Sequence, residues 1–108
     1  MEAKPLKRLE KKLTVEVLWL YIIAVLLEKP TYGYDVRRRI RERFGFKPAT
    51  VTTYTVIYRL EREGLIEKKS DGTYTVTEEG EMIFQEGVEM LGRVYQLLSS
   101  QASNVQKG

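Results

Sequence analysis

The chain has 108 residues, 43% hydrophobic and 31% charged, with no cysteine and no histidine. This fits one domain with a modest core and excludes a disulfide framework, thiolate chemistry, the common zinc sites and the commonest general base. The net charge of +3 is polarised: residues 1–69 carry 16 Lys and Arg against 9 Asp and Glu, and residues 70–108 carry 2 against 6. A basic N-terminal two-thirds suits a phosphate-binding surface, because each neutralised phosphate releases condensed counterions; the plainer reading is that these side chains solvate helices.

Leu6, Leu9 and Leu13 fall at helical spacing ahead of an apolar run from Leu18 to Leu27, so one helix is predicted from about Lys4 to the stop at Glu28-Lys29-Pro30. The apolar run is far shorter than the roughly 20 residues that span a bilayer. With no cleavage-site pattern near Lys11 and Lys12, a cytoplasmic protein with no membrane partner is expected. In the second helix Tyr32, Val36, Ile40 and Phe44 recur every four residues, Arg37, Arg38, Arg39, Arg41 and Arg43 take the other directions, and Gly45 and Pro48 end it.

The third helix is TVTTYTVIYRLEREGLI, residues 50–66. Thr50 is its expected cap, Tyr54, Ile57, Leu60 and Glu61 point one way, Thr53 faces the core and Gly64 closes the C-terminus. Leu65 to Lys69 and Thr73 to Thr77 then alternate around Asp71-Gly72, the sequence of a hairpin with a type I′ turn. From Thr77-Glu78-Glu79-Gly80 a last helix begins. Phe84, Val88, Leu91, Tyr95 and Leu98 step along it by four and three, and Met90, Val94 and Leu97 form a second stripe. Apolar over that much of its circumference, this helix must bury one side on its own domain and another on a partner, so a homodimer is expected with Phe84, Val88, Leu91, Val94, Tyr95 and Leu98 at its interface. The expected organisation is residues 1–80 as the main domain, 81–101 as the dimerisation helix of the same compact unit, and 102–108 as a frayed tail, the polarity beginning at Ser99.

Three helices followed by a two-stranded ribbon is the order of a winged helix-turn-helix, in a mainly α (α+β) fold. In that arrangement the third helix enters the major groove of double-stranded DNA. At 100° per residue, Thr52, Thr55, Arg59 and Arg62 line up opposite Ile57 and Leu60, with Tyr58 at the edge. Threonine can bond base edges or phosphate and offer its methyl to thymine, and arginine can take guanine bidentately. Lys68 and Lys69 in the ribbon, and Tyr34, Arg37 and Tyr54 near the helix starts, complete the candidate DNA-binding set. The bland reading of Tyr32, Tyr34 and Tyr54 is core edge. For Trp19 it is core or dimer packing, with lining of a ligand pocket as the sharper alternative.

Gly33-Tyr34-Asp35 after the Pro-ended apolar helix, YTVIYRLEREGLI from Tyr54 to Ile66 and YTVTEEG from Tyr74 to Gly80 together resemble the PadR family of transcriptional regulators, over roughly residues 14 to 98. The resemblance implies a dimeric winged-helix repressor. It implies that Tyr54, Thr55, Arg59 and the ribbon lysines lie at the DNA, that Phe84 to Leu98 is the dimer helix packing on the partner's first helix, and that some members release DNA on binding a small hydrophobic or phenolic effector. Trp19 and Tyr21, with Tyr95 or Leu91, are the residues that would line such a cleft. This chain departs from the family pattern in its clipped ribbon turn at Ser70-Asp71-Gly72 and in Thr53, where an apolar residue is usual. The expected function is sequence-specific repression of transcription, needing no cofactor and no metal. Two other readings compete: an architectural chromatin-type protein that coats DNA, and an adaptor whose winged helix binds protein. An enzyme is the least favoured, there being no nucleophile-base pair.

Overall fold

The computed structural model describes residues 3–105. Its elements in chain order are α1 (Lys4–Thr14), α2 (Leu18–Glu28), β1 (Thr31–Tyr32), α3 (Gly33–Phe44), α4 (Thr50–Arg62), β2 (Ile66–Lys68), β3 (Thr73–Val76) and α5 (Glu78–Val105). α2 is the central helix: Leu18, Ile22, Ile23, Val25 and Leu26 are buried against Val36 and Ile40 of α3, Ile57 and Leu60 of α4, and Ile66 and Tyr74 of the sheet. This is the winged helix-turn-helix that the order of elements predicts.

The first predicted helix is in fact two. At Val15 to Val17 the hydrogen-bond ladder slips: both Val15 and Glu16 donate to the Lys11 carbonyl, and Leu18 and Leu20 reach back only three residues, to Val15 and Val17. Two side-chain bonds hold the break. Thr14 donates to the Glu10 carbonyl at 2.8 Å, a back-bond that bends helices, and the Tyr21 hydroxyl takes the freed Leu13 carbonyl at 2.6 Å. The two halves also face different surroundings, since α1 buries no residue and α2 buries six.

β1 has no counterpart in the sequence reading. Thr31 and Tyr32 pair antiparallel with Tyr74 and Thr73, giving a three-stranded sheet of order β1-β3-β2; two residues are too few to show a period of two. The hairpin turn also differs from expectation. A type I′ turn needs positive φ at both central residues, whereas Gly72 (φ 91°) is the only residue of the turn with positive φ. The Gly72 N–H closes on the Lys69 carbonyl at 2.9 Å and Lys69 N–H bonds the Thr73 carbonyl at 2.7 Å, so the loop is three residues long with glycine in the left-handed position. Asp71 keeps an ordinary backbone because its carboxylate accepts from the Thr73 N–H and hydroxyl, at 2.9 and 2.7 Å.

α5 starts on Thr77, whose oxygen accepts the Gly80 N–H at 3.0 Å while its hydroxyl donates to the Gly64 carbonyl at 2.7 Å. It continues to Val105, through residues 102–105 where fraying was expected, because no glycine or proline stands between Gly92 and Val105. Residues 106–108 of the expected tail lie outside the described residues. The projecting helix makes the chain elongated, 59 × 31 × 21 Å, with a radius of gyration of 16.1 Å, where a compact domain of this length would have about 13 Å. Among the described residues no helix is long and apolar enough to cross a membrane.

Candidate nucleic-acid interface

The turn between α3 and α4 is held from both sides. α3 ends on Gly45 in the left-handed conformation, its N–H on the Arg41 carbonyl, and the Arg37 Nε donates to the carbonyl of buried Pro48 at 2.7 Å. α4 then begins one residue earlier than a Thr50 cap would allow: Ala49 is the capping residue, with no side-chain cap bond, and Thr50 is already helical. The inner face of α4 is Thr53, Ile57 and Leu60, all buried. Thr53 stands at an apolar position without penalty because its hydroxyl donates to the Ala49 carbonyl at 2.7 Å.

The outermost row of α4 is Val51, Thr55, Tyr58 and Arg62, spaced four, three and four and directly opposite the core. Val51, which the sequence reading passed over, is 78% exposed and Tyr58 51%. Its spacing from Thr55 was the available signal; the neighbouring threonines masked it. Arg59 is exposed and Thr52 half-buried, and both stand on the flank of the helix rather than on this row. There they line, with Val56, a cleft of about 600 Å³ closed by Val15, Trp19 and Ile83.

Trp19 is thus at a cavity, as its pocket reading requires, but its ring also packs on α5, where a Cβ on Gly87 would lie 2.9 Å from it. Tyr21 does not join it. Its ring makes edge contacts with Phe44 and Phe46 at 5.1 and 4.9 Å, and its hydroxyl is engaged at Leu13.

The charges sort by pairing. Asp35 and Glu42 both bind Arg38, and Glu28 binds Arg39 and Arg43. Arg39 is buried and also donates to the Val25 carbonyl and the Thr31 hydroxyl, at 2.8 and 2.6 Å. It is a structural residue that the sequence reading left among the surface arginines, although its place three residues after Val36 and next to Ile40 turns it toward the core. The Arg38 hydrogen bond holds the Asp35 carboxyl below the usual carboxylate range. By contrast, Arg59, Arg62 and Lys68 take part in no ion pair among the described residues.

The ribbon stands beside α4. Lys68 lies over the Tyr74 ring at 5.9 Å, and Lys69 pairs with Glu67 at 3.1 Å, both partners exposed. The buried Tyr74 hydroxyl donates to Glu61 at 3.3 Å; burial first, then the Glu61 charge, push its phenol up. Tyr34, 72% exposed, stacks on Tyr32 with centroids 5.2 Å apart, and half-buried Tyr54 lies 6.0 Å from Tyr58. Two apolar surfaces lie apart from this face: Leu6, Leu9 and Leu13 on α1, and Val88, Leu91, Val94, Tyr95 and Leu98 on α5, all more than 40% exposed in the single chain; Phe84 is half-buried.

Several solved structures share this fold. A PadR family transcription regulator from Clostridium difficile R20291 superposes with a TM-score of 0.64 at 24% identity, covering 76% of this chain and 94% of its own. A transcriptional regulator from Clostridium thermocellum gives 0.65 at 22% identity, covering 76% and 89%, and one described as putative from Thermoplasma acidophilum gives 0.64 at 18%, covering 83% and 92%. No curated protein matches the chain. Residues 22–86 match the model of the transcriptional regulator PadR-like family, a span that runs from the central helix α2 through α4 and the ribbon into α5. The chain belongs to the PadR-like family of transcriptional regulators, and its function class is DNA-binding regulation of transcription.

Proposed function

We propose that the protein is a homodimeric repressor that places α4 of each subunit in the major groove of a two-part operator and blocks the promoter there. One observation carries the DNA-reading half. The only face of α4 left free by the core presents Val51, Thr55, Tyr58 and Arg62, with Arg59 on its flank and both arginines unpaired among the described residues. Thr52, Tyr54, Thr55, Tyr58, Arg59 and Arg62 are the residues assigned to the groove and its edges, Lys68, Lys69, Tyr34 and Arg37 to the flanking phosphates. Arg37 acts with its terminal nitrogens, its Nε being engaged at Pro48.

The dimer half rests on α1. An isolated helix of 11 residues is unstable in water, and this one buries nothing within its own chain. Its leucine stripe and the exposed stripe of α5 are complementary partners in a second copy, which would also supply the second recognition helix that useful specificity needs. Light scattering at micromolar concentration is expected to give the mass of a dimer; a monomer would sink the assembly. Footprinting on genomic fragments is expected to protect two half-sites about one helical turn apart. Uniform protection of all fragments would instead identify a protein that coats DNA. A small hydrophobic effector is assigned to the cleft at Trp19; tryptophan fluorescence titrated with planar aromatic compounds tests it, and an unchanged spectrum across the panel would leave Trp19 as packing alone.

A further inference from the structure

The outermost row of α4 changes chemistry along its length. Its C-terminal half, Tyr58 and Arg62, carries hydrogen-bonding groups. Its N-terminal half does not: Val51 is an isopropyl group, 78% exposed and the most exposed apolar side chain of the helix, and the Thr55 hydroxyl is turned back to donate to the Val51 carbonyl at 2.9 Å. With that donor engaged, the γ-methyl is the part of Thr55 not tied to the helix. A single exposed valine on a protein surface is ordinary. Here it stands at the start of the helix assigned to the groove, one turn from a second methyl-bearing side chain and on the same row as Arg62.

In the major groove three of the bases offer only polar donors and acceptors, and thymine alone adds a 5-methyl group. An isopropyl pressed on a guanine or adenine edge strips water from N7 without replacing the hydrogen bond, which is unfavourable; pressed on a methyl it buries apolar surface, which is favourable. We propose that Val51 and Thr55 read pyrimidine 5-methyl groups, so that α4 selects thymine at adjacent positions of each half-site and accepts 5-methylcytosine better than cytosine there. The helical pitch of about 5.4 Å against a base-pair rise of about 3.4 Å spreads the two contacts over neighbouring base pairs rather than one. This inference rests on α4 being the recognition helix.

The test starts with selection of an operator from a random duplex pool by the intact protein. Each thymine of the selected half-site is then replaced singly by deoxyuridine, which lacks only the methyl, and affinity is read by fluorescence anisotropy. One or two positions per half-site are expected to weaken binding about fourfold each, the effect of one buried methyl. At those positions 5-methylcytosine is expected to bind better than cytosine by a similar factor. Val51→Ala and Thr55→Ser, both exposed changes with unaltered circular dichroism, are expected to erase the thymine preference each at its own position. The inference is overturned by a half-site without thymine, by uracil tolerated everywhere within twofold, or by a preference that survives both variants. If no sequence is enriched at all, the recognition reading falls and the methyl inference with it; enrichment with uracil tolerated removes the methyl inference alone.

Discussion

Helices α3 and α4 pack at the same turn, and they differ in how much of their charge is paired. α3 carries five arginines in twelve residues, yet Arg38, Arg39 and Arg43 are tied to Asp35, Glu42 and Glu28 and the Nε of Arg37 is tied to Pro48. α4 carries two, and both are free of ion pairs among the described residues. A free arginine brings its whole charge and its fork of donors to a phosphate or a guanine; a paired one must first give up a partner. Three of the five arginines of α3 are therefore held as scaffold, Arg37 and Arg41 having no ion pair among the described residues, whereas both arginines of α4 are free for the proposed interface.

The largest effect that could break this contrast is on folding. Arg39→Leu removes the partner of the Val25 carbonyl, the Thr31 hydroxyl and one Glu28 oxygen, and is expected to cost about 2–4 kcal/mol, with Arg43 still holding Glu28. That is a large share of the roughly 5–15 kcal/mol of a typical domain. Urea unfolding monitored at Trp19 measures it. A midpoint unchanged from the parent would return Arg39 to the surface and erase the distinction between the helices.

Next in size is DNA affinity. Arg59→Ala and Arg62→Ala are expected to weaken operator binding by about 1–3 kcal/mol each, with less loss on scrambled duplex. Arg38→Ala should leave both unchanged, since its charge is balanced within α3. Titration of all three on both duplexes decides it. Equal loss for Arg38→Ala would mean that charge count matters and pairing does not, and equal loss on both duplexes for Arg59→Ala would favour the DNA coat over the reader.

Much of this was legible in the sequence. Val36 and Ile40 of α3, Ile57 and Leu60 of α4 with Thr53 turned coreward, and the position of the DG hairpin each expose a period or a turn and appear where expected. Tyr32 lies in β1 instead and is exposed, as is Phe44, and Glu61, expected on the same face as Ile57, is exposed because that face is centred on Thr53. What was not legible depends on tertiary partners. The break at Val15 is held by Tyr21 and the strand at Thr31 by β3, and the burial of Arg39 depends on groups of α2 and β1. In the candidate site the free face of α4 was found, but its centre was set about 50° off, toward Thr52 and Arg59. The arginine at 59 and the threonines drew the reading, whereas the row with Val51 at its head is defined only by what the core leaves bare.

A smaller effect concerns the ribbon. The Lys69 ammonium is exposed and, among the described residues, bound only to Glu67, a surface pair worth little, so it can leave Glu67 for a phosphate. Lys69→Ala is expected to weaken operator and scrambled duplex alike and to lower the slope of log affinity against log salt by about one. A slope that does not move would take the ribbon tip off the DNA.

The smallest expected effect is the acid behaviour of the same turn. The hydrogen bonds from Thr73, first from its hydroxyl and then from its N–H, hold the Asp71 carboxyl below its ordinary 3.8. A carboxylate depressed in the folded state stabilises the fold above its unfolded pKa of about 3.9, and that contribution is lost as pH falls through the lower folded value. Asp71 is at the surface, so only the local turn is expected to respond, not the core. The Thr73 amide resonance should shift upfield as the bond is lost below about pH 3.9, while resonances in α2 stay in place. Asp71→Asn keeps an oxygen acceptor but cannot titrate in this range, so its Thr73 resonance should not move there. The same acid shift in both proteins would assign the titration to another group and remove Asp71 as the brace that lets a non-glycine residue precede Gly72.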